Sequence, residues 1–277
     1  MVAGAGYLGR RVLERLPTEA SIALGRQPSS AAGRSVIVDL DASDQTPLEV
    51  DPTYALLYTV PPPGSGDDDP RLEGLLRRLS SPPRRLVLIG TTGVYGDRGG
   101  DSVSESDPLA PATDRARRRV AAEETARDYC NGTGAELVIL RVPGIYGPER
   151  LGLDRLAEGG EVLRDEDSGP GNRIHVDDLV ECCLAALSAN REAGLYNVGD
   201  GDHRTSGAFS RAIAEIAGLP APVSLSLEEA RQAWSPMRLS FATESRRIDT
   251  TKMRAALKVE PRYADPLEGI RASLNTD

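Results

Sequence analysis

The sequence predicts an α/β protein, a doubly wound parallel sheet covered by helices on both faces, with a small lid added toward the C-terminus. Three observations lead there. Apolar runs of strand length alternate with helical periods from the start of the chain to about residue 200, the pattern of parallel strands joined by helical crossovers. The chain opens on V-A-G-A-G-Y-L-G, with Gly4, Gly6 and Gly9 spaced as G-x-G-x-x-G around Tyr7 and Leu8. That spacing lets a strand turn tightly into a helix whose N-terminal amides can hold a pyrophosphate, the Rossmann-type turn. Beyond Gly199 the alternation degrades.

The first strand is short, because only Met1, Val2 and Ala3 precede Gly4, where about five residues are usual. Fewer ladder bonds and apolar contacts then support the turn, so weak cofactor binding is expected. The helix after the turn carries Leu8, Val12, Leu13 and Leu16 on one face and ends at Pro17. Ile22 to Leu24 reads as strand two, Val36 to Val38 as strand three, and Tyr54 to Val60 as strand four, stopped by Pro61, Pro62 and Pro63. A helix follows with Leu72, Leu75, Leu76 and Leu79 on one stripe and Asp67, Asp68 and Asp69 near its positive end.

Strand five is Leu86 to Ile89, running into Gly90, Thr91 and Thr92. The next helix runs from near Asp114 to about Cys130, and strand six is Leu137 to Leu140. A helix from Asp177 or Asp178 buries Val180, Cys183, Leu184 and Leu187, and a short strand Leu195 to Val198 follows. Later, Phe209, Ile213 and Ile216 mark one helix, Ser226 with Glu229 starts another through a capping box, and Asp265 with Pro266 opens a terminal one. The division expected is a dinucleotide-binding core over 1–143 and 174–200, and a small substrate-binding part over 144–173 and 201–277. Ligands of such sheets bind beyond the carboxyl ends of the strands, which puts the lid over the glycine turn and the loops at Thr91 and Pro143.

With 277 residues the chain can bury a full core. Its net charge of -9 disfavours nucleic acid and anionic membranes as partners. Apolar runs such as Leu86 to Ile89 are far too short to span a bilayer, and no charged-then-apolar leader precedes Gly4; a soluble cytoplasmic protein is expected. The three cysteines, with Cys182 and Cys183 adjacent, form neither a disulfide framework nor a zinc spacing. A hydrolase lacks support, since no G-x-S-x-G, H-E-x-x-H or P-loop occurs.

Several strings together resemble the short-chain dehydrogenase/reductase superfamily in its extended or atypical form, the NAD-dependent epimerase/dehydratase relatives. They are V-A-G-A-G-Y-L-G at Val2 to Gly9, G-T-T-G-V-Y-G-D at Gly90 to Asp97, L-R-V-P-G-I-Y-G-P at Leu140 to Pro148, N-R-I-H-V-D-D-L at Asn172 to Leu179 and Y-N-V-G at Tyr196 to Gly199. The resemblance implies a Ser or Thr at the end of strand five and a Tyr-x-x-x-Lys on the next helix, the Tyr moving the substrate proton and the Lys holding the nicotinamide ribose. Thr91 matches the hydroxyl position, but Arg115 stands in the tyrosine place and Arg119 in the lysine place. An arginine stays protonated and cannot serve as acid/base. For Arg115 and Arg119 a role in the cleft is expected, holding cofactor ribose or an anionic substrate, whereas Arg117 and Arg118 read as a solvated face.

The resemblance further implies an arginine three residues before the Ile-His-Val segment to grip a nucleotide diphosphate; Gly171 stands there instead, and Arg173 follows two residues later. A smaller substrate is therefore expected. His175 and Asp177 read as residues that fix their loop and cap the following helix, and His203 as a surface residue. At the end of strand two, Leu24-Gly25-Arg26-Gln27 offers no acid for ribose hydroxyls; Arg26 reads as a clamp for a 2′-phosphate, so NADP is the expected cofactor with NAD as the alternative. Asp39 and Leu40 match the adenine-contact position, and Thr59, Val60 and Pro61 the loop beside pyrophosphate and ribose. The leading expectation is an NADP(H)-preferring oxidoreductase or epimerase-like enzyme acting on a small polar, anionic metabolite. Thr91 would polarise the reacting oxygen, and Tyr95, Tyr146 or water would supply the acid/base. The alternative is a non-catalytic dinucleotide-binding redox sensor or scaffold. A homodimer through the helices flanking strands four and five is also implied by the resemblance.

Overall fold

The computed structural model describes residues 1–51 and 53–275. Seven strands form one fully parallel sheet: β1 (Val2–Ala3), β2 (Ile22–Gly25), β3 (Arg34–Ile37), β4 (Ala55–Tyr58), β5 (Arg85–Thr91), β7 (Glu136–Val142) and β11 (Gly194–Asn197). Their spatial order is β11-β7-β5-β4-β1-β2-β3. The order reverses beside β1, so the glycine turn lies at the topological switch point, where a doubly wound sheet opens a crevice.

Alternate residues of the strands serve opposite faces. Val2, Leu57, Val87, Ile89, Val138 and Leu140 pack with Leu8, Val12 and Leu13 of α1 (Tyr7–Arg15) and Leu179, Cys182, Cys183 and Ala186 of α5 (Val176–Leu187). Ala3, Leu56, Tyr58, Leu86, Leu88 and Ile139 pack with Leu72, Leu75 and Leu76 of α2 (Pro70–Arg78) and Ala122, Ala126 and Cys130 of α3 (Asp114–Thr133). The period of two along each strand is thus used twice, which is why these strands read as continuous apolar runs. The cysteines are free and buried, as expected of small core residues.

Strand β1 is only two residues long, yet it pairs with both β2 and β4. The ladder extends by one residue, because the Met1 carbonyl accepts from Leu57 N at 3.0 Å. Capping matches the sequence chemistry elsewhere: Asp69 accepts from Leu72 N, Thr113 from Ala116 N, Ser226 forms both halves of a capping box with Glu229, and Asp265 accepts from Leu267 N.

The remaining pieces pair over long distances. β6 (Ser102–Val103) joins β13 (Arg247–Ile248), β8 (Gly144–Tyr146) joins β10 (Arg173–His175), and β9 (Glu161–Leu163) joins β12 (Val223–Leu225). With α4 (Leu153–Ala157), α6 (Ser206–Ile216), α7 (Leu227–Ala233), α8 (Pro236–Thr243) and α9 (Pro266–Leu274) they form the smaller part beside the sheet. Tyr146, Leu151, Leu156, Ile213 and Ile270 make its own apolar cluster. None of the described helices is long and apolar enough to cross a membrane.

Candidate functional site

The three glycines of the opening turn do different jobs. Gly4 has φ +92°, and a Cβ there would lie 2.6 Å from Thr59 Oγ1 and 2.9 Å from Val60 Cγ2. At Gly9 a Cβ would fall on the Gly4 carbonyl oxygen, so glycine is what lets α1 approach the strand. At Gly6 a Cβ would meet nothing within 4 Å. Gly6 is also the N-cap of α1, with no side chain capping the amides of the first turn. Unsatisfied amides at a helix start, with open space in front of them, form an anion cradle that suits a pyrophosphate.

That cradle opens into a cleft of about 1120 Å³. Of the residues predicted to hold cofactor, Gly4, Gly6, Tyr7, Leu8, Arg26, Asp39, Leu40, Thr59, Val60, Pro61 and Arg119 all line it; Gly9 and Pro143 do not. The Thr59 hydroxyl donates to Gly4 O at 2.7 Å, which ties the end of β4 to the glycine turn. Asp39 Oδ1 accepts from Asp41 N at 3.0 Å and shapes the loop after β3.

Five arginines, Arg10, Arg26, Arg71, Arg119 and Arg150, line the cleft against two acids, Asp39 and Asp41. In a chain of net charge -9 this local excess of cations marks an anion site. Arg119 donates to Ile89 O at 3.1 Å, and burial lowers its pKa while Asp69 opposes that. Arg71 forks onto Asp41 at 2.6 and 2.8 Å and reaches Pro61 O at 2.9 Å. Tyr7 is sandwiched between the guanidinium groups of Arg11 at 4.0 Å and Arg150 at 4.1 Å, and its hydroxyl donates to Pro148 O at 2.7 Å. The loop after β8 is thereby pinned to α1.

The residues predicted for catalysis are not brought together in the cleft, apart from Arg119. Thr91 caps the turn after β5, accepting from Gly93 N at 3.2 Å, which leaves its hydroxyl proton free to donate. Arg115 stacks on the Phe241 ring at 3.7 Å, and so faces α8. Tyr146 is 3% exposed, edge-on to His175 and Phe209, with its hydroxyl packed against Gly269 and burial raising its pKa far above the ordinary value. Tyr95 is wholly buried, donating to Asn197 Oδ1 at 2.7 Å and accepting from Arg141 at 2.8 Å, while Arg141 forks onto Glu123. Both tyrosines hold the structure and are too enclosed to exchange a proton with a ligand, which corrects the expectation placed on them.

Two smaller expectations also change, those for Arg118 and His203. Arg118 is 8% exposed and donates to Gly66 O at 3.0 Å, so only Arg117 lies on a solvated face. Arg173 is buried, its guanidinium 2.7 Å from where a Gly171 Cβ would lie, donating to Arg204 O at 3.1 Å and covering Phe209. His203 is half-buried, with Nδ1 3.3 Å from Gly171 O. His175 behaves as expected: its Nδ1 accepts from Asp177 N, capping α5, and burial lowers its pKa to about 4, so the ring is neutral.

Comparison with known proteins agrees with this geometry. The model of the NAD dependent epimerase/dehydratase family matches residues 72–199. Over those residues the chain is similar to that family. The chain is 24% identical, over 95% of its length and 90% of the other chain, to dTDP-6-deoxy-L-talose 4-dehydrogenase (NAD(P)(+)) from Kitasatospora kifunensis. Its fold matches that of a functionally unknown conserved protein from Silicibacter pomeroyi with TM-score 0.80 and 26% identity, covering 99% of this chain and 96% of that one. It also matches the Bacillus cereus UDP-glucuronic acid 4-epimerase in complex with UDP-glucuronic acid and NAD, with TM-score 0.73, 18% identity and coverage of 98% and 96%.

Arg10, Arg71 and Arg150 escaped the sequence reading. Arg10 lies one residue past the last motif glycine, a position whose approach to the cleft follows once α1 is built from Gly6. Arg71 and Arg150 carry no such signal, since only the packing of α2 and of the loop after β8 brings them in.

Proposed function

We propose that this protein is an NAD(P)(H)-dependent oxidoreductase or epimerase-like enzyme that prefers NADPH and acts on a small polar, anionic substrate. The observation that carries the reading is the uncapped start of α1, with open space in front of Gly6, inside a cleft lined by five arginines. The amides of Tyr7 and Leu8 would hold the pyrophosphate, Arg26 the 2′-phosphate, Asp39 and Leu40 the adenosine end, and Arg119 the nicotinamide ribose. When bound, the nicotinamide supplies hydride transfer.

The Thr91 hydroxyl would donate to the reacting oxygen, and Arg115 would hold the substrate anion once it leaves the Phe241 ring. The proton would pass to or from water, because Tyr95 and Tyr146 are enclosed. Those two burials also favour a second reading, a dinucleotide-binding protein without turnover that acts as a redox sensor or scaffold.

Following nicotinamide absorbance while the protein is offered deoxysugar nucleotides and small anionic carbonyl and alcohol metabolites separates the two. Substrate-dependent change in absorbance supports the enzyme. Tight dinucleotide binding with no change against any compound supports the sensor.

A further inference from the structure

The adenosine end of the cleft holds an ion pair that the dinucleotide reading does not use. Arg71, in the first turn of α2, commits all three sides of its guanidinium: Nε and Nη2 donate to the two oxygens of Asp41, and Nη1 donates to Pro61 O. It therefore straps the loop after β3 to the loop after β4 across the cleft wall, and Arg71, Asp41 and Pro61 all line the cleft. Arg26 lines it as well and makes no hydrogen bond among the described residues. Its charge nonetheless joins Arg71 in favouring the ionised form of Asp41.

With Arg26 as the 2′-phosphate clamp, this arrangement would put two cations and one carboxylate near the place where a dinucleotide presents either a 2′-phosphate or a 2′-hydroxyl. The two ligands ask for opposite things. A phosphate needs donors and is repelled by Asp41, whereas a hydroxyl can donate to Asp41 and gains nothing from a second arginine. With the pair closed, Arg71 masks Asp41 and Asp41 occupies Arg71, so neither ligand meets a bare partner. We propose that the Arg71–Asp41 pair, rather than Arg26 alone, sets the choice between 2′-phosphorylated and 2′-hydroxyl dinucleotides. The proposal rests on the dinucleotide reading of the cleft and makes Asp41 an internal competitor for the phosphate-binding arginine.

The two partners should then act in opposite directions, which a merely structural strap would not do. Removing the Asp41 charge with Asp41→Asn frees Arg71 for phosphate. Removing the fork with Arg71→Ala leaves Asp41 unmasked.

The test is titration of the full-length protein and both variants with NADPH and NADH, followed by nicotinamide fluorescence. 2′,5′-ADP and 5′-AMP serve as competitors that isolate the adenosine end. Asp41→Asn is expected to raise the NADPH-to-NADH affinity ratio about fivefold or more, and Arg71→Ala to lower it by a similar factor. Arg71→Lys keeps the charge but not the fork, stays closer to the native packing, and should lie between Arg71→Ala and the unmodified protein. Ratios that stay within about twofold in every variant, or that move the same way in Asp41→Asn and Arg71→Ala, overturn the proposal while leaving the dinucleotide site intact. Failure of the unmodified protein to bind either dinucleotide overturns the site and the proposal together.

Discussion

Replacing Gly6 and Gly9 separately should split binding from stability. Gly6 has φ -79° and ψ -154°, angles open to any residue, and its Cβ would enter empty space. Gly6→Val should therefore fold normally, but its branched side chain would stand where the pyrophosphate meets the first amides of α1. Losing two charge-assisted bonds at about 1.5–3 kcal/mol each weakens binding by roughly a hundredfold or more. Gly9 is the opposite case, because its Cβ would collide with the Gly4 carbonyl and push α1 away from β1. Overpacking of this kind costs about 1–3 kcal/mol. For a chain of this size that lowers Tm by roughly 2–12 °C. Thermal melts and NADPH titration of the two variants read both effects. An unchanged NADPH dissociation constant in Gly6→Val, or an unchanged Tm in Gly9→Ala, would refute the reasoning.

Three further outcomes are expected. Arg26→Ala should narrow the preference for NADPH over NADH by about tenfold, the lower end for a charge-assisted contact because the side chain is exposed, and equal losses for the two dinucleotides would show that Arg26 does not meet the 2′-phosphate. If the protein turns over an anionic substrate through Arg115, Arg115→Ala should raise KM or abolish turnover with cofactor affinity unchanged; carbonyl reduction that appears only in Arg115→Tyr with Arg119→Lys would instead mark the native chain as a binder without chemistry. Asp200 is 2% exposed, with one carboxylate oxygen lacking a partner among the described residues, and burial raises its pKa from 3.8 to about 7 against the opposing Asp202 N–H bond and the charges of Arg173 and Arg204. A raised carboxyl pKa costs nothing well below pH 3.8, where both states are protonated, and its cost grows as pH climbs toward 7 to reach roughly 4 kcal/mol. Asp200→Asn should thus raise Tm at pH 8 by more than near pH 3, where the linkage cost is absent; a gain of equal size at both pH values would contradict that sign.

The elements legible from sequence are those whose signal is local. β2, β4, β5 and β7 are apolar runs buried on both faces, and α2 and α3 begin at side chains that cap them. The strands of the smaller part are two or three residues long and exist only through partners far along the chain, as when Ser102 and Val103 meet Arg247 and Ile248. No periodicity can form over so few residues, so nothing in the sequence marks them. The same distinction runs through the site. The glycine turn and Arg26 follow directly from a strand end and could be placed, whereas Arg71 reads as an ordinary helix arginine until α2 is docked beside the loop after β3. Tyr95 and Tyr146 sit in similar short motifs, V-Y-G and I-Y-G, and only the packing of Arg141 on one and of Gly269 on the other shows that neither faces the cleft.

Titration of the unmodified protein with NADPH and with NADH, read by nicotinamide fluorescence, addresses the site most directly. Saturable binding of both, with NADPH tighter and with that advantage reduced in Arg26→Ala, is the outcome the cradle and the five-arginine cleft predict. No saturable binding of either dinucleotide would contradict it.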